Sequence, residues 1–185
     1  MLDVSVGTTI VKVAAALTAL EIPFHVTGEI VSSYHGIPRF TMDIDFVVVL
    51  VSGHRQIPSI VSSLENSFEI DIESAKNSLR SHGMFQALDK ETLHKVDFHA
   101  GERVPDELTR SMITELFPGV SVPIACAEDS VISKLLWAGM GSSKSWTDAV
   151  GIVQRRDLRF DLLEKLARVL DLGTDLKRLL NEAKQ

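Results

Sequence analysis

The spacing of hydrophobic and polar residues divides the chain into a mixed first part and a helical second part. Up to about residue 125, short apolar runs of strand length alternate with amphipathic stretches. Beyond that point apolar residues recur at helical intervals and no run is typical of a strand. We therefore predict an α/β (α+β) fold, with an α/β domain over residues 1–125 and a C-terminal helical region over residues 126–185.

The clearest strand is predicted from Asp43 to Val51, because four aliphatic residues follow one another from Val47 to Leu50. A turn-like connection, residues 89–91, has the length and composition of a hairpin loop. The other strands are predicted over residues 24–27, 68–72, 85–88, 93–99 and 120–125.

The first helix is predicted to begin at Thr8 or Thr9 and to end near Leu20, just before Pro23. A helical turn is expected after Gly28. Further helices of the first part are predicted over residues 57–64, 74–82 and 105–116. Four helices are predicted in the second part, over residues 129–140, 145–154, 160–170 and 174–183.

Composition and charge exclude several classes of protein. The chain has 185 residues and a formal net charge of -6, which disfavours broad binding to a nucleic-acid backbone. No apolar stretch reaches the roughly 20 residues that a membrane span needs, so we expect no membrane association. The single cysteine, Cys126, excludes an intrachain disulfide, and the first twenty residues contain one cation, Lys12. These features favour a cytoplasmic protein.

Two acidic residues stand at the start of the strongest predicted strand. Asp43 and Asp45 are separated by Ile44, and because side chains alternate along a strand, both carboxylates point to one face. Neighbouring carboxylates repel each other unless a cation or a proton lies between them. The alternative is an acidic strand end that simply faces water. The continuous apolar run that follows favours a functional site at the mouth of a core strand.

Asp97 is a third candidate, in the predicted strand Lys95-Val96-Asp97-Phe98-His99. If this strand pairs beside the Asp43 strand, three carboxylates converge on one face. Such a cluster suits hard divalent cations such as Mg²⁺, and two of these ions can hold a triphosphate and activate a hydroxyl. The alternative is an ordinary polar position in an amphipathic strand.

Three further residues are candidates for nucleotide binding. Gly28 lies between a strand and a helix, where a glycine lets backbone N–H groups approach a phosphate, although a plain turn glycine is the alternative. Arg39 precedes Asp43 by four positions and either binds a phosphate or forms an ion pair that steadies the acidic loop. Lys134 follows an acidic helix start and either approaches a nucleotide or is a solvated surface lysine.

These motifs resemble the nucleotidyltransferase-fold superfamily, and within it the minimal, toxin-like bacterial group related to the toxins of abortive-infection systems. The resemblance rests on three segments. They are Val26-Thr27-Gly28-Glu29, the pattern Gly36-x-Pro38-Arg39-x-Thr41-x-Asp43-x-Asp45, and Lys95-Val96-Asp97. Two later segments, 127–135 and 143–152, are also similar to that group, so the likeness covers most of the chain from residue 24 to about residue 180.

The resemblance implies a mixed sheet flanked by helices and Mg²⁺-dependent transfer of a nucleoside monophosphate from an NTP to an acceptor hydroxyl. Asp43, Asp45 and Asp97 would bind the metal, as two ions, and Asp97 would help to activate the hydroxyl. Gly28, Arg39 and Lys134 would contact the nucleotide. Protein hydroxyls, tRNA ends and small molecules are all acceptors in this superfamily. A toxin of this kind would have an antitoxin as partner, and the helical region equally suits a homodimer or packing against the first domain.

The sequence departs from the family pattern at Glu29, where glycine or serine is usual. A carboxylate beside a triphosphate is repulsive unless it turns away or is paired with a cation. Glu29 therefore motivates an alternative hypothesis, a catalytically degenerate module that binds or regulates on the same scaffold.

Overall fold

The computed structural model describes residues 4–39, 41, 43–51 and 53–184. Phe40 and Met42, which belong to the motif around Arg39 and Asp43, lie outside the described residues. The helices are α1 (Val4–Ala19), α2 (Gly28–His35), α3 (Ile57–Leu64), α4 (Ile72–His82), α5 (Ala127–Gly139), α6 (Ser143–Arg155), α7 (Phe160–Val169) and α8 (Gly173–Glu182). The strands are β1 (Phe24–Thr27), β2 (Asp43–Val48), β3 (Phe68–Glu69), β4 (Met84–Asp89), β5 (Lys95–Ala100), β6 (Met112–Phe117) and β7 (Val120–Ile124).

The predicted mixed α/β architecture is confirmed, and the four C-terminal helices begin and end within two residues of their predicted bounds. The helix predicted over residues 105–116 is wrong. A short 3₁₀ turn at Glu107–Arg110 is followed by β6, which forms a hairpin with β7. Pro118-Gly119 makes the turn, Gly119 has φ +77°, and its N–H donates to the Glu115 carboxylate. The β-branched pair Ile113-Thr114 and this turn favour a strand over a helix.

The seven strands form one mixed sheet in the order β3-β4-β5-β2-β1-β7-β6. The neighbours β2 and β5 run parallel, as do β1 and β7, while the other neighbouring pairs run antiparallel. The predicted pairing of the Asp97 strand beside the Asp43 strand is confirmed, since β5 lies directly next to β2. The ends of β1 and β2 that carry Thr27 and Asp45 also meet, because these two residues are Cα partners.

One face of the central strands builds the main hydrophobic core. Ile44, Phe46, Val96 and Phe98 are fully buried on this face, and the phenylalanine rings of β2, β4 and β5 stack with centroids 4.7–5.9 Å apart. Helices α1 and α3 supply further buried residues to the same cluster. Burial of this face by aliphatic and aromatic side chains is the dominant stabilisation of the first part. The polar side chains of these strands lie on the opposite face.

The C-terminal helices form a second hydrophobic cluster of their own. It contains buried residues of α5, α6, α7 and α8 together with Val104, from the loop after β5. Arg156, just after α6, donates to the backbone carbonyls of Tyr34 and His35 at the end of α2. These contacts hold the helical part against the first part, so that α5 and α6 form a wall facing the polar side of the sheet. In the part of the chain that the structure describes, no helix has the length and apolarity to cross a membrane.

Candidate active site

The three candidate carboxylates share the polar face of the sheet. Asp45 and Asp97 are Cα partners on the parallel strands β2 and β5, and Asp43 precedes Asp45 by two residues. Since Ile44 and Phe46 occupy the alternate positions and point into the core, the aspartates point the other way. All three line a cavity of about 300 Å³ between this face and the wall formed by α5 and α6.

Asp97 is the most buried of the three aspartates. Its side chain is 12% exposed, against 55% for Asp43, and its Oδ1 accepts a hydrogen bond of 2.9 Å from the amide nitrogen of Gln86. Burial raises the pKa of Asp97, Lys95 opposes that rise, and the charge of Asp45 adds to it. The carboxylate is thus held in a partly desolvated position with one oxygen fixed by β4.

A lysine lies between two of the aspartates. The Lys95 ammonium is 3.3 Å from the Asp43 carboxylate and 3.4 Å from that of Asp97. Burial alone would lower the pKa of Lys95, but the charges and hydrogen bonds of Asp97 and Asp43 raise it. Lys95 is therefore a protonated cation that offsets part of the acidic charge on this face.

Asp45 is positioned by two neighbours. The Nε2 of His99, two residues after Asp97 on the same face, is 2.9 Å from Asp45 Oδ1. On the other side lies Gly28, which has φ +71°, and a Cβ at that position would overlap the Asp45 carboxylate. Glycine is thus required at residue 28 both by its backbone conformation and by the close approach of Asp45. Gly28 also begins α2, and the Thr27 side chain makes no capping hydrogen bond there.

Four charged side chains form a network at the edge of the cavity. Arg39 donates to the carboxylates of Glu29, at 2.7 Å, and Asp148, at 2.6 Å. The same Asp148 oxygen accepts a 2.7 Å hydrogen bond from Lys134, whose side chain is only 8% exposed. Of the two roles expected for Arg39, the structure shows the ion pair, although its partners lie outside the loop that leads to Asp43.

The network places the remaining candidate residues relative to the aspartates. Glu29 and Lys134 both line the cavity, whereas the lining does not include Arg39. The Glu29 carboxylate, which stands where the family has a small residue, is paired with a cation. Lys134 is a buried ion-pair partner rather than the solvated surface lysine that the sequence left open.

The far end of the cavity is built by residues that sequence reasoning did not assign to the site. Trp137 on α5 lines it, and the Arg103 guanidinium lies 4.5 Å from the centroid of that ring. Ser142 and Ser145, at the start of α6, lie on the same wall. Trp146, in contrast, packs against the cluster of the C-terminal helices, with Arg178 of α8 over its ring.

The family resemblance implies a divalent cation at this face of the sheet. As placed, the described residues contain no group of three or more His, Cys, Asp or Glu side chains close enough to hold a metal. The donor chemistry nevertheless fits, because three carboxylates share one face and the Lys95 ammonium already stands as a cation between Asp43 and Asp97. A divalent ion would take up charge that Lys95 only partly offsets.

The residues not assigned to the site from the sequence differ in whether any signal could have found them. Lys95 precedes Asp97 by two residues, so strand alternation places it on the face of Asp97, as it does His99. Asp148 meets Lys134 only because α5 and α6 fold back on each other. Arg103 reaches Trp137 through the path of a loop, and no sequence period encodes that path.

Comparisons with known proteins agree with this geometry. Residues 30–168 match the model of the family described as nucleotidyl transferase AbiEii toxin, type IV toxin–antitoxin system. No curated protein matches the chain.

Solved structures with the same fold have low sequence identity. The antibiotic-resistance factor ANT(2'')-Ia in solution aligns with a TM-score of 0.62 and 14% identity, over 96% of this chain and 97% of its own. A crystal structure of ANT(2'')-Ia in complex with adenylyl-2''-tobramycin aligns with a TM-score of 0.54 and 15% identity, over 96% of each chain. An antigenic nucleotidyltransferase-like protein from Paracoccidioides brasiliensis aligns with a TM-score of 0.58 and 17% identity, over 98% of this chain and 94% of its own. At these identities the likeness shows a shared fold.

Proposed function

The chain belongs to the AbiEii family of nucleotidyl transferase toxins of type IV toxin–antitoxin systems, and on that premise we propose that it transfers a nucleoside monophosphate from an NTP to an acceptor hydroxyl in a Mg²⁺-dependent reaction. One observation carries the proposal. Asp45 and Asp97 are direct partners on two parallel strands, at a polar cavity, with Gly28 against Asp45. This arrangement offers carboxylates on one side and an uncapped helix start on the other.

The reaction that fits this arrangement is an in-line substitution at the α-phosphorus of the NTP. The acceptor oxygen forms a bond to the α-phosphorus, the bond from that phosphorus to the bridging oxygen of the β-phosphate breaks, and pyrophosphate leaves. We assign the hydroxyl proton to the Asp97 carboxylate, whose position is fixed by Gln86. Catalysis of this kind depends on positioning and on charge neutralisation.

The other candidate residues have binding roles in the proposal. Asp43, Asp45 and Asp97 would hold Mg²⁺, as two ions, which would neutralise phosphate charge. The N-terminus of α2 favours a phosphate beside Gly28, because its first backbone N–H groups lack a side-chain cap. Lys134, held by Asp148, would contact the nucleotide from the cavity wall.

The alternative of a degenerate binding module rested on Glu29. That carboxylate is paired with Arg39 at 2.7 Å, so its charge is compensated within the protein. The repulsion that a triphosphate would meet is therefore reduced. The pairing supports an active enzyme over a degenerate one.

Label transfer from an NTP carrying ³²P at the α-position is the direct test, with bacterial extract supplying protein, tRNA and small-molecule acceptors. We expect transfer by the wild type, and a loss of about 100-fold or more in Asp45→Asn and in Asp97→Asn. The matched control is Asp161→Asn, an exposed aspartate in the first turn of α7. Circular dichroism should show that all three variants fold. If the wild type transfers no label and binds none of the four NTPs with Mg²⁺, the proposal fails.

The toxin role has its own test in cells. Induced expression of the chain without its partner should arrest bacterial growth, and Asp45→Ala should abolish the arrest if nucleotidyl transfer causes it. The Asp161→Asn variant should arrest growth like the wild type. Arrest that persists in Asp45→Ala at equal protein level would separate toxicity from the proposed reaction.

A further inference from the structure

Arg103, in the wall of the cavity, has no anionic partner among the described residues. Of the described residues, Lys134 and Arg103 are the lysine and arginine that line the cavity, and Lys134 is bound to Asp148. Among the residues that the structure describes, the Arg103 guanidinium makes neither an ion pair nor a hydrogen bond. Its contact is the face of the Trp137 ring, 4.5 Å from the centroid. Because the Arg103 guanidinium has no ion-pair partner among the described residues, it is available to bind an anionic ligand in this acidic cavity.

Stacking on Trp137 leaves the binding groups of Arg103 free. A guanidinium that lies over an aromatic ring is held through its flat face, while its N–H donors point outward in its own plane. Planar donors of this kind match the oxygens of a phosphate. Trp137 has one face covered by Arg103 and is approached edge-on by His99, with ring centroids 6.4 Å apart. These contacts favour Trp137 as a support for the arginine over a role as a stacking platform for a base.

The backbone that carries Arg103 is fixed before any ligand binds. The buried carboxylate of Glu107 accepts the backbone N–H of Arg103 at 2.8 Å and that of Val104 at 3.2 Å. Val104 is fully buried in the cluster of the C-terminal helices. The main chain at Arg103 is therefore held in place, which lowers the conformational entropy lost when the guanidinium binds a ligand.

The cavity continues from the aspartates toward Trp137 and Arg103. His99 follows Asp97 by two residues on β5, a step of about 7 Å, and its ring centroid is 6.4 Å from that of Trp137, on which Arg103 lies. Resting on the proposed function, we propose that Arg103 binds a phosphate group of the NTP, with Trp137 as a positioning residue that holds the guanidinium.

The experiment compares two stacked arginines in the same protein. Arg178 lies over Trp146 at 4.5 Å, the same distance as Arg103 over Trp137, but outside the cavity lining. Calorimetric titration with Mg²⁺ and a non-hydrolysable NTP should show about tenfold weaker binding in Arg103→Gln, since a charge-assisted hydrogen bond is lost. Arg178→Gln should bind like the wild type, and the two variants should have similar melting temperatures.

Two further ligands and two further variants separate the contacts. Mg²⁺ with tripolyphosphate, which has no base, should show the same loss in Arg103→Gln, whereas adenosine should show none. Trp137→Phe should keep most of the affinity, and Trp137→Ala should lose it several-fold, because a smaller ring still supports a guanidinium while a methyl group does not.

Each contrary result has its own meaning. If Arg103→Gln weakens adenosine binding and leaves tripolyphosphate binding unchanged, the contact is to the base and the inference is wrong. It is also wrong if Arg103→Gln binds the NTP like the wild type and loses only transfer, because the arginine then serves the acceptor. In both cases the proposed function stands. If the wild type binds no NTP and transfers no label, the proposed function fails and the inference fails with it.

Discussion

The chain carries two groups of acidic side chains whose surroundings are opposite. One group is Glu128 and Asp129 at the start of α5, and the other is the set of three aspartates on the sheet. Asp129 is fully buried and is bound by Arg110 through Nε, at 3.0 Å, and Nη2, at 2.7 Å. Glu128 accepts hydrogen bonds from the Arg159 side chain and from its backbone N–H, each at 3.0 Å. At α5, each carboxylate therefore has an arginine of its own.

The aspartates on the sheet are not matched in this way. Asp43 and Asp97 share the ammonium of Lys95 at 3.3 and 3.4 Å, and Asp45 has a histidine. An arginine at short hydrogen-bond distance occupies the oxygens of a carboxylate, whereas a lysine shared by two carboxylates leaves oxygens free to bind another cation. The acidic residues with complete partners thus hold the fold, while those with incomplete partners line the cavity of the proposed site.

Removal of Arg110 is expected to have the largest effect on stability. Arg110→Met leaves the fully buried Asp129 without its cation, and a broken buried pair costs about 3–5 kcal/mol. Burial already raises the pKa of Asp129 while Arg110 opposes that rise, so the variant should also take up a proton on folding. Urea unfolding at pH 7 measures the loss.

The control for this prediction removes both charges. The double variant Arg110→Met with Asp129→Asn should regain most of the lost stability, because no buried charge remains unpaired. Transfer activity of the double variant should stay near that of the wild type. A double variant as unstable as the single one would show that Arg110 acts through packing rather than through its charge.

A methyl group at residue 28 should affect activity more than stability. Gly28→Ala places a side chain in a left-handed conformation and against Asp45, so the carboxylate must shift. A displacement of about 1 Å in such a group costs about 100-fold in rate. The matched control is Gly83→Ala, at φ +66°, where the nearest atom to the new Cβ is 3.7 Å away.

Both alanine variants should lose about 1 kcal/mol of unfolding free energy from backbone strain. Label transfer should fall in Gly28→Ala and stay unchanged in Gly83→Ala. Equal transfer rates in the two variants would show that the approach of Gly28 to Asp45 has no part in catalysis.

Lowering the pH should remove the stability that the Glu128 carboxylate gives to the folded protein. Burial alone would raise the pKa of Glu128, but the hydrogen bonds from Arg159 outweigh it and lower the pKa to about 2. A lowered folded-state pKa gives stability that is present above the usual value of 4.5 and is lost as the pH falls toward 2. Glu128→Gln should therefore be less stable than the wild type at pH 7, by about 1.5 kcal/mol for a hydrogen bond to a charged group.

The difference between Glu128→Gln and the wild type should shrink between pH 4.5 and pH 3, as measured by urea unfolding. Glu73→Gln is the control, since Glu73 is 71% exposed and pairs with Lys76 on the surface of α4. It should differ little from the wild type at any pH. If the difference in stability between the wild type and Glu128→Gln does not change with pH, the charge of the Glu128 carboxylate is not what stabilises the start of α5.

The sequence predicted the central part of the fold because the hydrophobic pattern there is local. The apolar run after Asp43 and the alternation around Asp97 identify two strands, and their acidic residues share the polar face of the sheet. The C-terminal helices were predicted for the same reason, since each has its own apolar period. A local hydrophobic period is therefore enough to predict an element that buries one of its faces.

The parts that could not be predicted depend on contacts between distant segments. Only the last two residues of strand β6 are buried, so burial leaves no period in its sequence, and its pairing with β7 decides its conformation. Arg39 was weighed as a phosphate ligand, but its partner Asp148 lies 109 residues away on α6. Ion-pair partners at such separations follow from the packing of helices, which a single sequence does not encode.

Lys95 gives the smallest predicted effect and the sharpest test of incomplete pairing. Its ammonium competes with a divalent cation for Asp43 and Asp97, and it is 40% exposed, so Lys95→Met should raise the affinity for Mn²⁺ or Mg²⁺ about threefold. Lys76→Met, which removes a half-buried lysine paired with Glu73 on α4, should leave metal affinity unchanged. Calorimetry without nucleotide measures both. Weaker metal binding in Lys95→Met would mean that Lys95 holds Asp43 and Asp97 in position for the ion. The lysine would then preorganise this face instead of competing with the metal.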